Sequence, residues 1–176
     1  VSITTETEEA SIRYTTDGST PDESTGTLYE GPISLNSTTI LRAIAYKAGY
    51  QPTNVDTQSY LFASDIKDQD DMDRDVVNDP EYAATIEEDL AGNLPVISLV
   101  LEDALFFGPN GTHTNYERSG RSAEIPVSFE FFNPLDPADE FQIDAGIRIH
   151  GGNARSHPKK PFRLYFREEY GDRRLK

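Results

Sequence analysis

The chain contains no cysteine and no tryptophan, and a single methionine. Without cysteine there are no disulfides, no thiolate catalysis and no cysteine-ligated zinc or iron–sulfur centre. The zero count says little about compartment. No apolar run approaches the roughly 20 residues that a membrane span needs. Val1-Ser-Ile-Thr-Thr has the composition of a strand, so the opening residues are expected to be strand rather than a leader. Positive charge is scarce as well: 16 Lys and Arg face 31 Asp and Glu, for a net charge of −15 and a pI near 4.5. A chain this acidic lacks the positive face that non-specific nucleic-acid binding requires. Apolar residues make up only 36% of the chain, so any core has to be compact. A length of 176 residues accommodates one large or two small domains. The β pattern that begins at Val1, and a C-terminus without turn or tail, lead us to expect a segment of a longer polypeptide.

The charge that is present is unevenly spread. Residues 1–93 carry 19 acids against 5 bases, whereas residues 94–176 carry 12 against 11. Within 146–176 the sign reverses, with Arg148, Arg155, Lys159, Lys160, Arg163, Arg167, Arg173, Arg174 and Lys176 facing three acids. A basic island at the end of an acidic chain is the most informative charge feature.

Three regions follow from patterning. Residues 1–62 read as all-β: Ser11–Thr16 alternates and meets the turn signal Asp17-Gly18, and Thr39–Tyr46 is the best strand. In that strand Ile40, Arg42, Ile44 and Tyr46 share one face, and Leu41, Ala43 and Ala45 the other. Short pieces at Leu28-Tyr29 and Pro32–Leu35, and a last strand at Thr57–Phe62, complete a small Ig-like β-sandwich. Residues 63–93 form an acidic linker. Asp65, Asp68, Asp70, Asp71, Asp73 and Asp75 should repel one another and keep it extended, and one short helix capped by Asp79 runs through Tyr82, Ile86 and Leu90. Residues 94–176 return to β. Pro95–Leu101 looks like a strand buried on both faces, Pro126 hints that Glu124–Phe132 is an edge strand, and Phe141–Ile149 and Phe162–Phe166 flank a glycine-bearing turn. The fold class expected is mainly β, the last region being an incomplete antiparallel or mixed layer.

Candidate chemistry concentrates in two places. Asp17-Gly18-Ser19 is turn chemistry, or else a sugar- or calcium-contacting loop that lacks an aromatic platform. The Asp-rich stretch fails as an EF-hand, having neither the sixth-position Gly nor the twelfth-position Glu in register, which leaves a solvated linker or a looser Ca²⁺ site. The second place is the hairpin Gly151-Gly152-Asn153 with Arg155, Lys159 and Lys160 at its base. Glycines allow close backbone approach to phosphate oxygens, and cations neutralise phosphoryl charge. The alternative is a tight turn whose cations pair with Glu168, Glu169 and Asp172. His113, His150 and His157 lack metal-like spacing, and Ser119 and Ser156 have no evident base, so no catalytic residue is assigned. Asn36-Ser-Thr and Asn110-Gly-Thr are glycosylation sequons, a pattern common by chance.

Two resemblances add to this reading. Ile12-Arg-Tyr-Thr-Thr-Asp-Gly-Ser-Thr-Pro21, Tyr29-Glu-Gly-Pro-Ile33 and Thr38–Ala45 resemble the chitobiase/β-hexosaminidase C-terminal-like module, also described as fibronectin type III-associated, over nearly all of residues 1–62. Such modules are accessory sandwiches of surface and carbohydrate-active proteins. Asp71–Tyr82, Pro95–Leu101, Phe141–Arg155 and Lys159–Gly171 are similar, in order and spacing, to the N-terminal part of CotH-family proteins, atypical spore-coat-type kinases. This second resemblance implies a secreted or cell-surface bacterial multidomain protein, with residues 94–176 as the non-catalytic front of a kinase-like domain. It implies phosphate contacts at Arg155, Lys159, Lys160, Gly151 and Gly152, with ATP and Mg²⁺ or Mn²⁺ belonging to the longer protein. The implied partners are the rest of the same polypeptide and extracellular polysaccharide or protein, with no nucleic acid and no membrane span. The competing expectation is an adhesion or carbohydrate-binding module without kinase activity.

Overall fold

The computed structural model describes residues 1–171. The calls on Asp172, Arg173, Arg174 and Lys176 lie outside these. The chain is mainly β, with two four-stranded sheets of order β2-β1-β3-β4 and β5-β6-β7-β8. It divides into two compact units: Val1–Ile97 with Phe131–Glu140, and Ser98–Glu130 with residues 141–171. No helix among the described residues is long and apolar enough to cross a membrane.

In the first unit, β1 (Ser11–Thr15), β2 (Thr27–Leu28), β3 (Thr39–Tyr46) and β4 (Asp56–Tyr60) pair antiparallel. The register sets Ile12 opposite Ala45, and Tyr14 opposite Ala43. With Leu41 they make one face, and Ile12, Leu41 and Ala43 are buried. Arg13, Ile44, Arg42 and Ile40 fall on the other face, as alternation requires. Pro32–Leu35, expected as a strand, is not one. Instead the Val1 ammonium donates to Ile33 O at 2.6 Å and Ile33 N to Val1 O at 2.8 Å. Ile3 N donates to the Tyr29 hydroxyl at 3.1 Å. These extended segments carry the layer over the sheet, and residues 3–5 share a cleft of about 200 Å³ with Ile12, Ala43 and Ala45. A proline and a glycine within five residues (Gly31-Pro32) deny that segment a continuous ladder.

The Asp-rich stretch is not extended, which corrects the expectation from self-repulsion. It holds α1 (Ala63–Asp68) and α2 (Arg74–Val77), and the later helix is reduced to α3 (Ile86–Glu88), which continues into a π turn at Asp89–Asn93. Individual carboxylates have local partners that offset repulsion. Asp65 accepts from Thr38 N at 2.5 Å. Asp73 caps α2 by accepting from Asp75 N at 2.9 Å, and Asp79 accepts from Glu81 N at 2.8 Å. Lys67 pairs with Glu87 at 2.9 Å. Ile66, Leu90 and Leu94 supply the apolar side of a groove of about 260 Å³ that also includes Leu61, Val96 and Phe132.

The second sheet contains β5 (Val96–Val100), β6 (Ile125–Phe132), β7 (Phe141–Ile149) and β8 (Phe162–Tyr165). Two expectations fail. β5 is an edge strand rather than one buried on both faces, and Ile97 is 58% exposed. β6 is interior, and its Pro126 is tolerated because it sits at the second residue of the strand and is itself exposed. Within the second unit, Val127, Ala145 and Ile147 form the core, covered by Leu99, Leu101, Ile125, Leu164 and Phe166. Between β5 and β6 the chain runs through the short helix α4 (Asp103–Phe106) and the loop that follows it.

Candidate functional site

The Asp17-Gly18-Ser19 loop resolves into turn chemistry. Asp17 Oδ1 accepts from Ser19 N at 3.0 Å and from Ser19 Oγ at 2.6 Å, and the Ser19 hydroxyl, then its amide, hold the carboxyl below its ordinary value. Gly18 has φ +79°, the left-handed region that glycine adopts without strain. Arg42 reaches across to Gly18 O at 3.2 Å and the Thr20 hydroxyl at 2.6 Å. The next loop repeats the device. Asp22 accepts from Ser24 Oγ, Ser24 N and Thr25 N at 2.6–2.7 Å, which lowers its carboxyl to about 2. Arg13 closes that loop by donating to Gly26 O at 2.7 Å and Glu23 O at 3.1 Å. The Asp17 and Asp22 carboxylates and the Arg13 and Arg42 guanidinium groups therefore each have a structural use.

Residues 1–60 match the family model described as Fn3 associated. The match agrees with the fibronectin type III-associated resemblance of this region, and it places residues 1–60 as an accessory module of the kind found in larger polypeptides. No curated protein and no solved structure matches the chain.

Beyond the Fn3-associated module, the structure separates the three hairpin cations that the sequence grouped. A 3₁₀ turn at Asn153–Ser156 follows Gly151, whose φ of +107° again suits glycine. Arg155 donates from Nε to Tyr116 O at 2.7 Å and from Nη2 to Arg118 O, so its guanidinium is spent on clamping the 106–123 loop. Lys160 donates to His157 O at 2.9 Å and lies 4.8 Å from the Tyr116 ring centroid. Burial, and then the Lys160 charge, lower the His113 imidazole. Lys159 is exposed and has no hydrogen bond or ion pair among the described residues. Gly151 and Gly152 are exposed as well. The anticipated pairing of these cations with Glu169 does not occur: Glu169 pairs with Arg121.

A second polar constellation, which sequence reasoning did not single out, covers the face of β7 and β8 opposite the core. The Glu124 side chain is fully buried and receives Arg167 in a bidentate pair, Nε to Oε1 at 2.7 Å and Nη2 to Oε2 at 3.0 Å. Burial pushes the Glu124 carboxyl up, but the Arg167 hydrogen bonds and charge outweigh this and hold it below the ordinary carboxylate value. Tyr170 lies against the same carboxylate. Burial first, then the charges of Glu124 and Glu169, push its hydroxyl up to about 12. Gly146 makes room for both: a Cβ there would come within 2.6 Å of the Tyr170 ring and 2.7 Å of Glu124 Oε1. Further along the same face, Arg148 donates to the Tyr165 hydroxyl at 2.7 Å. The Tyr165 ring is flanked by Arg148 at 4.6 Å and Arg167 at 5.0 Å. Among the described residues no group of three or more His, Asp or Glu could hold a metal ion.

Proposed function

We propose that the chain is an accessory segment of a secreted or cell-surface bacterial multidomain protein of the CotH kinase family. In this reading the Fn3-associated module is a spacer, and the second unit is the front β layer of a kinase-like domain. The match of residues 1–60 to an accessory-type module carries the reading. The four sequence blocks similar to CotH proteins, and a hairpin already braced by Arg155 and Lys160, support its finer part. The braced turn leaves Lys159, Gly151 and Gly152 as the groups that face a phosphate, while ATP and Mg²⁺ or Mn²⁺ chemistry depends on segments other than those described.

Titration of Mg-ATP into the isotope-labelled chain tests this. The amides of Gly151, Gly152 and Lys159 should shift, the shifts should vanish in Lys159→Ala, and ATP should not be turned over. Unmoved hairpin amides at saturating Mg-ATP would remove the phosphate role and leave only the accessory module.

A further inference from the structure

One groove of the first unit has an apolar floor and acidic walls. The floor is made by Leu61, Ile66, Leu90, Leu94, Val96 and Phe132. All of them belong to the first unit, so the groove is a property of that unit alone. Leu94 is 51% exposed although it lines the groove. Three of the segments that wall it are α1, residues 86–93 and the turn at 133–140. Together these carry eight acids and one base, and that base, Lys67, is paired with Glu87. Several of the carboxylates are held by neutral donors. Asp65 accepts from Thr38 N, Asp89 from Asn93 Nδ2 and Asp136 from Ala138 N. Glu140, part of the groove lining, accepts from Asn133 N. A hydrogen bond from an amide orients a carboxylate and leaves its negative charge in place. The walls therefore present fixed negative charge beside an apolar floor.

Exposed apolar surface in a concave place suits a partner, and the surrounding charge selects which one. At about 260 Å³ the groove is smaller than the roughly 300 Å³ at which pockets for drug-sized ligands begin, and it suits individual apolar side chains of a peptide. An anionic membrane surface would be repelled by the same walls. We propose that this groove binds a cationic amphipathic segment of a partner polypeptide, with apolar anchors on the floor and Lys or Arg side chains against the acidic walls. The mode is helix-in-groove, with anchors recurring at i, i+3 or i+4, and i+7. It depends neither on the kinase reading nor on the Gly151–Lys160 turn.

The test is a titration of the isotope-labelled whole chain with a synthetic helical peptide of about twelve residues, leucine at the anchor positions and lysine elsewhere. One control peptide has glutamate in place of lysine, and another has serine in place of leucine. The methyl resonances of Ile66, Leu90 and Leu94 should shift saturably with the leucine–lysine peptide and with neither control. Added salt should weaken the binding. Leu94→Ser, at a half-exposed position, should weaken it about tenfold through loss of one apolar contact. Glu140→Gln, which keeps an acceptor for Asn133 N and removes the charge, should weaken it about threefold. Lys159→Ala should leave it unchanged. Unmoved groove methyls at millimolar peptide, equal binding of either control peptide, or full affinity in Leu94→Ser would overturn the proposal. So would concentration-dependent shifts of the same methyls without peptide, which would make a second copy of the chain the occupant.

Discussion

The arginines of the two sheets are used differently. In the first sheet Arg13 lies opposite Ile44, and Arg42 opposite Thr15 and Thr57, so no cation faces another. Each gathers oxygens from the loop above it, Arg13 those of Gly26 and Glu23 and Arg42 those of Gly18 and Thr20, and Arg13 also donates to the Tyr46 hydroxyl of β3. These are loop clamps, and Arg155 is another in the second unit. In the second sheet Arg167 meets a buried carboxylate, Arg148 the Tyr165 hydroxyl and ring, and Arg163 the His150 imidazole. A cation that saturates backbone oxygens contributes to folding. A cation held by a buried carboxylate ties the sheet to pH, because the pair is lost when that carboxylate is protonated. Sorting arginines by what their N–H groups touch therefore distinguishes loop clamps from a buried charge pair where a count of basic residues does not.

That sorting can be broken or sharpened by substitution. The largest effect is expected at Gly146→Ala, where the added Cβ runs into Tyr170 and a Glu124 carboxylate already fixed by Arg167. Overpacking of this kind costs about 2 kcal/mol, read as a lowered midpoint in urea denaturation. Arg13→Ala should cost about 1.5 kcal/mol by releasing the 22–26 loop, with faster proteolysis there as the local sign.

A pH series separates the two kinds of charge next. The Glu124 carboxyl is depressed in the folded state, so its contribution is present above the ordinary carboxylate value of 4.5 and is lost as pH falls through the depressed folded value. Tyr170 is raised, so its contribution is complete below pH 10.0 and is lost as pH rises from there toward about 12. Denaturation midpoints of wild type and Glu124→Gln should converge in acid and diverge above pH 4.5.

Much of the sheet structure was legible because alternation is local. Thr39–Tyr46 and Phe141–Ile149 show period-two patterning along their whole length, and both are strands with those bounds. What was not legible depends on partners far along the chain. Ile97 looked buried from its apolar neighbours, but exposure depends on β5 being an edge. The Asp-rich stretch looked repulsive because the acceptors and caps that organise Asp65 and Asp73 are backbone amides, which composition does not reveal. The site shows the same limit. Arg155, Lys159 and Lys160 are close in sequence and were grouped for that reason, yet two of them are occupied by carbonyls of the surrounding loops. Tyr165 and Arg148 are 17 positions apart, and the β7–β8 hairpin brings them into contact. Glu124 and Arg167 are 43 apart, and no spacing rule links them.

The claim that Arg167 is held by a buried carboxylate, unlike the loop-clamping arginines, is tested most directly by urea denaturation of wild type and Glu124→Gln across acid pH. Wild type should lose stability as pH falls below 4.5 more steeply than Glu124→Gln. Parallel pH profiles for the two proteins would contradict the claim.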